Sequence, residues 1–225
     1  MYDNKKDVLG HLANNKGFTL IEMAIVLIII GIIIGAVVKG KDLIRSGEQK
    51  KVYTKFVNAW RLSYLSVYDR TGKRLGDFYD ADATAEGQDS KADTDNDVNG
   101  SISDTERGYL KTGDPSGTDF RGLDDMGLTS PSTNTGNSWQ YKYTDNEGVG
   151  HDITVAFKYD TAGKYNYLWI NEIPNELGMA LDTMVDGTAV GTSGDFLCFA
   201  KDTDATNADW GAPSTEVSAR WKMDF

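Results

Sequence analysis

The chain has 225 residues, which is enough for one domain of ordinary size and an additional segment. Acidic residues outnumber basic ones by 34 to 23, and the net charge of −11 argues against a nucleic-acid-binding protein, because such a protein needs a basic surface. The single cysteine, Cys198, excludes an intrachain disulfide and a thiolate metal cluster. We expect it to be buried, and the alternative is a disulfide to another chain.

The stretch from Phe18 to Val38 predicts a membrane-spanning helix. Its 21 residues contain one ionisable side chain, Glu22. As a helix the stretch would be about 31 Å long, which matches the hydrocarbon core of a bilayer. A buried helix of a soluble protein would carry a polar stripe, which this stretch lacks. A signal peptide would have a shorter apolar run that ends in a small-residue cleavage site.

Glu22 is the unusual residue of this stretch. A carboxylate within a bilayer is unfavourable, and such residues usually have a partner and a function. The alternative is a side chain that lies at the level of the lipid headgroups and has no further role.

A distinctive motif, KGFTLIE at residues 16–22, joins a short charged leader to the apolar helix. It resembles the N-terminus of type IV prepilins and type II secretion pseudopilins, and the close resemblance covers about residues 12–60. The resemblance implies that a membrane-embedded prepilin peptidase removes residues 1–17 by cutting between Gly17 and Phe18. The new amine of Phe18 would be methylated.

The same resemblance implies a role in assembly for Glu22, which would pair with the terminal amine of a neighbouring subunit. The geometry agrees, because about 6 Å of helix separates Glu22 from an amine on Phe18. The implied partners are identical or related pilin subunits, the prepilin peptidase and the inner-membrane assembly machinery. We expect the chain in a bacterial inner membrane before assembly and in a surface or periplasmic filament afterwards.

The distribution of basic residues predicts a membrane orientation opposite to that of the prepilin family. Three lysines precede the apolar stretch, whereas basic residues follow it at positions 39, 41, 45, 50 and 51. The positive-inside rule would therefore keep the C-terminal side in the cytoplasm. In the family arrangement the leader is cytoplasmic and the remainder is exported. We give the cleavage motif more weight than the charge count.

Residues 39–69 predict an amphipathic continuation of the helix, because apolar side chains recur at helical spacing between charged ones. No proline occurs before Pro115. Within the apolar part, Gly31 and Gly35 form a G-x-x-x-G pair. This pair either favours association of helices in the membrane or softens the helix locally.

Residues 70–225 predict one globular head, so that the fold class is α+β and pilin-like, with an antiparallel sheet. A short helix is expected at Glu176–Val185, with Asn175 as its N-cap and Gly187 at its end. The second and third of the predicted strands should form a hairpin. The predicted strands are Trp139–Tyr143, Ile153–Tyr159, Tyr165–Asn171, Phe196–Ala200 and Val217–Trp221.

An acidic segment before the first strand contains a match to the twelve-residue EF-hand calcium loop at residues 95–106. Calcium prefers six to eight oxygen ligands, which this loop can supply. The alternative is a disordered acidic insert. One such loop, without a clear helix before it, predicts a structural clamp for a single Ca²⁺ ion. The expected ligands are Asp95, Asp97, Asn99, the backbone carbonyl of Ser101, Ser103 and Glu106.

The sequence contains no recognisable catalytic arrangement. His151, beside Asp152 in a turn-like stretch, is expected to be a surface residue, and we expect no enzymatic activity. The predicted function is a structural subunit of a type IV pilus-like filament, with the roles of major pilin, minor pilin and secretion pseudopilin left open. The alternative from another class is a membrane-anchored calcium-binding module that does not polymerise.

Overall fold

The structure is a computed structural model, and the chain divides after Ser46 into two units. The first unit contains the apolar part of the long N-terminal helix, and the second contains the rest of that helix and the head. The structure describes residues 17–76, 104–113, 122–160, 163–200, 206–211 and 215–223.

The long N-terminal helix is confirmed. It consists of α1 (Leu20–Val52), a π-helical turn (Tyr53–Val57) and α2 (Asn58–Thr71). By length and composition this stretch is able to cross a membrane. The π-helical turn is not predicted by the sequence, and it inserts an extra residue into one turn of the helix. The helix ends at Gly72, whose φ of 69° is readily adopted by glycine.

The apolar side chains of α1 are exposed in the isolated chain. Leu20 is 93% exposed and Ile32 is 67% exposed, and the other large apolar residues of the stretch behave in the same way. Exposure of such an apolar surface to water is unfavourable, and surfaces of this kind mark contacts with lipid or with other protein.

The head contains a five-stranded antiparallel sheet in the order β1-β2-β3-β5-β4. The predicted hairpin is confirmed, because β2 pairs with β3 and Val155 lies opposite Ile170. A third helix, α3 (Asp104–Thr112), precedes the sheet, and α4 (Asn175–Asp186) follows β3 directly. The strands are β1 (Gln140–Thr144), β2 (Gly150–Asp160), β3 (Tyr165–Pro174), β4 (Phe196–Phe199) and β5 (Glu216–Met223).

Strand β3 is three residues longer than predicted. A bulge between Ile170 and Ile173 interrupts its register with β5, and pairing then continues to Pro174. Glu172 lies within the bulge with a φ of 59°, which is uncommon for a residue other than glycine. Alternating hydrophobicity does not reveal a bulge, because the extra residue breaks the period of two.

Aromatic side chains join the helix to one face of the sheet. Phe56 packs against Tyr141 with ring centroids 5.4 Å apart, and Tyr64 packs against Phe157 at 4.9 Å. Trp60 also contacts Phe157 and donates a hydrogen bond to the backbone carbonyl of Ser138. Phe56, Trp60, Tyr64 and Phe157 are fully buried, so this interface forms the centre of the head.

Polar contacts cover both edge strands of the sheet. At the β1 edge the Asn134 amide donates to the carbonyl of Lys142 at 2.7 Å and accepts from its N–H at 2.8 Å. At the β4 edge the backbone N–H of Cys198 donates to Gly191 and its carbonyl accepts from Ala208. These contacts use backbone groups that could otherwise pair with a strand of another chain.

Cys198 is buried, as expected, and burial raises the pKa of its thiol to about 12. The N-cap of α4 is shifted by one residue from the prediction. Pro174 occupies this position, and Asn175 is the first helical residue. The Asn175 side chain instead accepts a hydrogen bond from the backbone of Gly211. The predicted end at Gly187 is confirmed by its φ of 81°.

Replacing Gly178 by Ala should destabilise the head. The added Cβ would overlap the ring of Trp210, whose indole N–H donates to Asp182 at 2.8 Å. Overpacking of this kind costs about 1–3 kcal/mol, which should lower the melting temperature of the full chain in detergent. In the matched control, Gly108→Ala on α3, the Cβ has open space, and stability should be unchanged or slightly higher. Equal melting temperatures for the two variants would contradict the packing at Gly178.

Candidate processing and assembly site

Two residues at the start of α1 form a reciprocal set of hydrogen bonds. The Glu22 carboxylate accepts from the backbone N–H of Thr19 at 2.7 Å and from its hydroxyl at 2.8 Å. The Thr19 hydroxyl accepts a longer bond of 3.3 Å from the backbone N–H of Glu22. Since α1 begins at Leu20, Thr19 and Glu22 occupy the N-cap and N3 positions of a capping box.

The capping box holds the Glu22 carboxylate at the N-terminal end of the helix, beside the place where a new chain terminus would arise. The helix dipole also favours a negative charge at this end. The role of Thr19 goes beyond the sequence-based prediction. Its signal was nevertheless available, because T-x-x-E before an apolar run is typical of a capping box.

The residues on either side of the expected cleavage point, Gly17 and Phe18, precede the helix and are both exposed. A Cβ added to Gly17 would meet no other atom within 4 Å. The described part of the chain therefore gives no steric reason for a glycine at this position. A requirement for glycine here would have to come from contact with another molecule, such as a protease that binds the backbone closely.

A comparison with protein families identifies this region. Residues 12–38 match the family described as the prokaryotic N-terminal methylation motif. The chain carries the prepilin-type cleavage and methylation signature. The matched range includes Gly17, Phe18 and Glu22 and ends with the apolar stretch. No curated protein and no solved structure matches the chain.

The N-terminal methylation motif supports a type IV pilin- or pseudopilin-like protein. The chain combines this motif with a long apolar N-terminal helix and a head built on an antiparallel sheet. The motif implies processing by a prepilin peptidase and assembly into a pilin-like filament. The motif and the apolar helix together fit anchoring in the membrane before assembly.

Most of the predicted calcium loop lies outside the described residues, including Asp95, Asp97, Asn99, Ser101 and Ser103. Glu106 belongs to α3, but its side chain is not described. Within the described ranges, no group of three or more His, Cys, Asp or Glu side chains is arranged to hold a metal ion. The calcium loop therefore stays a prediction.

The described start of α3 lies in an acidic environment. Burial and the charge of Glu216 raise the pKa of Glu172, the charge of Arg107 lowers it, and the charges of Asp152 and Asp104 raise it further. Arg107 forms an ion pair of 3.2 Å with Asp104, the first residue of α3. Three carboxylates and one guanidinium therefore act on the charge of Glu172.

His151 is buried, and the prediction that it is a surface residue is wrong. It lies near the start of β2, with its side chain 2% exposed. Its Nδ1 lies 2.8 Å from a carboxylate oxygen of Glu216, and its Nε2 lies 3.1 Å from one of Asp145. The turn signal in the sequence belongs to residues 145–149, and the strand that follows turns the imidazole inward.

The two carboxylates raise the pKa of this imidazole. Burial by itself lowers the pKa of His151, but the hydrogen bonds and charges of Asp145 and Glu216 outweigh it and raise the pKa overall. The hydrogen bond with His151 lowers the pKa of Asp145 against the effect of burial. A neutral imidazole could donate from only one nitrogen, so the geometry favours the protonated form.

Asp145 also organises the loop between β1 and β2. Its second carboxylate oxygen accepts from the backbone N–H groups of Glu147 at 2.9 Å and Val149 at 2.8 Å. The imidazole of His151 thus links this loop to Glu216 at the start of β5. The arrangement connects distant parts of the sheet and is explained by stability alone.

Proposed function

We propose that this chain is the precursor of a structural subunit of a type IV pilus-like filament. In this proposal it is cut between Gly17 and Phe18 and polymerises through its N-terminal helix. The observation that carries the proposal is the placement of Glu22. Its carboxylate is held by Thr19 at the start of an exposed apolar helix, next to the residue that cleavage would make the new terminus.

The physical chemistry of the helix supports polymerisation. Association with other helices would bury the apolar side chains that are exposed in the isolated chain. An amine formed at Phe18 would be cationic within an apolar environment, where a carboxylate is the most favourable partner. The covered edges of the head sheet disfavour assembly by strand addition, which leaves the helix as the polymerising element.

The buried histidine supports a non-enzymatic role. Both ring nitrogens of His151 contact carboxylates, so neither is available to take a proton from a substrate. The large head and its acidic insert favour a pilin or minor pilin over a major pseudopilin. A secretion pseudopilin and a non-polymerising membrane anchor are the alternatives.

Intact-mass analysis of the native chain tests the processing step. We expect a methylated chain that begins at Phe18 and is abundant in sheared surface filaments. The control is the membrane fraction of the same cells. A processed chain confined to the envelope would indicate a pseudopilin or a scarce minor subunit. A chain that still begins near Met1 would contradict the proposal and favour the membrane-anchored module.

We further propose that one Ca²⁺ ion stabilises the head through residues 95–106. The match to the EF-hand loop supports this proposal. Helix α3 begins at Asp104, the tenth position of the predicted loop, and an EF-hand loop is followed by a helix. The carboxylates near Asp104 would also repel one another less with a divalent cation close by.

Calcium should raise the melting temperature of the full chain in detergent relative to a chelator. A ligand that binds only the folded state, and is present at a concentration about 100 times its dissociation constant, adds about 2.7 kcal/mol to the free energy of unfolding. The double variant Asp95→Ala with Glu106→Ala should lose this calcium-dependent increase. Asp124→Ala with Asp125→Ala removes the same charge outside the loop and should retain it. Identical melting of the wild type in calcium and in chelator would disprove the clamp.

A further inference from the structure

The part of the long helix that follows the apolar stretch is strongly basic. Residues 39–55 contain six basic and two acidic residues, and the basic ones are called the collar here. The five lysines of the collar are exposed, and none of them forms an ion pair within the described part of the chain. The collar consists of Lys39, Lys41, Arg45, Lys50, Lys51 and Lys55.

The rest of the chain has the opposite charge. Residues 56–225 contain 14 basic and 29 acidic residues. Heads with this excess of negative charge repel one another when they are brought together. A filament of identical copies places its heads close to each other, so positive charge that offsets the repulsion favours its assembly.

The orientation of the chain gives an independent reason to assign a role to the collar. In the prepilin orientation the collar follows the membrane span on the exported side, where basic residues oppose the positive-inside rule. Its lysines therefore do not serve the insertion of the helix. Their position in the sequence, between the apolar stretch and the head, fits a role in assembly.

We propose that the collar of one copy binds the acidic head of a neighbouring copy in the filament. This inference rests on the proposed function and names the surface that the neighbouring subunit contacts. Successive residues of a helix point about 100° apart, so adjacent lysines such as Lys50 and Lys51 face different directions. One collar can therefore contact more than one neighbour. At physiological ionic strength charges are screened beyond about 8 Å, so the binding requires close contact.

Charge reversal with a matched control tests the proposal in the full-length chain. The collar variant carries Lys50→Glu, Lys51→Glu and Lys55→Glu. The control variant carries Lys73→Glu, Lys111→Glu and Lys164→Glu, which changes the net charge equally at exposed lysines outside the collar. Each is produced in cells at one fixed calcium concentration. Intact mass, membrane content, head melting temperature and sheared filament yield are then measured.

We expect both variants to be processed and to fold, and the filament yield of the collar variant to fall at least about tenfold below the control. Wild-type filaments should also dissociate more readily as salt is raised. Equal yields from the two variants would overturn the inference. A collar variant that remains uncleaved or leaves the membrane would also overturn it, in favour of a contact with lipid headgroups. A wild-type chain that forms no filaments would overturn the proposed function and this inference with it.

Discussion

Replacing Glu22 by Ala should reduce incorporation of the chain into filaments at least about 100-fold while the head still folds. In a filament core the amine of the processed Phe18 would lose its carboxylate, and a buried charge without a partner is strongly destabilising. Cleavage at Gly17 should continue, because Glu22 lies one helical turn beyond the cut. The measurement compares sheared filament yield with the amount of processed chain in the membrane.

Three further variants identify which property of Glu22 matters. Glu22→Gln keeps a similar shape but removes the charge, and it should fail like Glu22→Ala. Thr19→Val removes the hydroxyl that holds the carboxylate but leaves the charge, so we expect an intermediate loss. Glu48→Ala removes an acidic residue farther along the same helix, and its filament yield should match the wild type. Normal yield from Glu22→Ala would disprove assembly through this residue.

The stability of the head should depend on pH through His151 and Asp145. Folding raises the pKa of His151, so this residue stabilises the head fully when the pH lies below its unfolded pKa, near 6.5. The contribution is lost as the pH rises through the pKa of His151 in the folded state. The lowered pKa of Asp145 has the opposite effect, since its contribution is lost as pH falls through the folded pKa. We therefore expect the melting temperature of the full chain to fall on the alkaline side and again in strong acid.

Replacing His151 by Gln should lower the melting temperature and remove most of the alkaline decline. Hydrogen bonds to charged groups are worth about 1.5–3 kcal/mol, and the glutamine amide is neutral and donates from a single nitrogen, whereas a protonated imidazole is cationic and donates from two. Glu216→Gln should lower the melting temperature less than His151→Gln does. The Glu216 side chain is 53% exposed, and the glutamine that replaces it keeps an oxygen that can accept from His151. An unchanged pH profile in His151→Gln would show that the decline arises elsewhere.

The sequence predicts the elements of the head better than it predicts their contacts. The β2–β3 hairpin and the end of α4 at Gly187 follow from local patterns of alternation and turn residues. The bulge at Glu172 and the π-helical turn at Tyr53–Val57 do not, because each depends on how its segment packs against others. Local residue preferences are therefore insufficient at these two places.

The candidate assembly site follows almost entirely from the sequence. Gly17, Phe18 and Glu22 form one short motif beside an uninterrupted apolar run, and both features are local properties of the chain. A linear motif recognised by a peptidase and a helix inserted into lipid do not require the fold of the head. The structure adds the hydrogen bonds of Thr19, which give the Glu22 carboxylate a defined position.

The tertiary structure alone determined the environment of His151. Its partner Glu216 is 65 residues away in the chain, and only the order of strands in the sheet brings the two together. Sequence spacing cannot show such a contact, so a buried histidine between two carboxylates resembled a surface residue beside a turn. The cleavage motif, the candidate membrane span and the charge asymmetry are determined by the order of residues, whereas burial and pairing across the head depend on the folded chain.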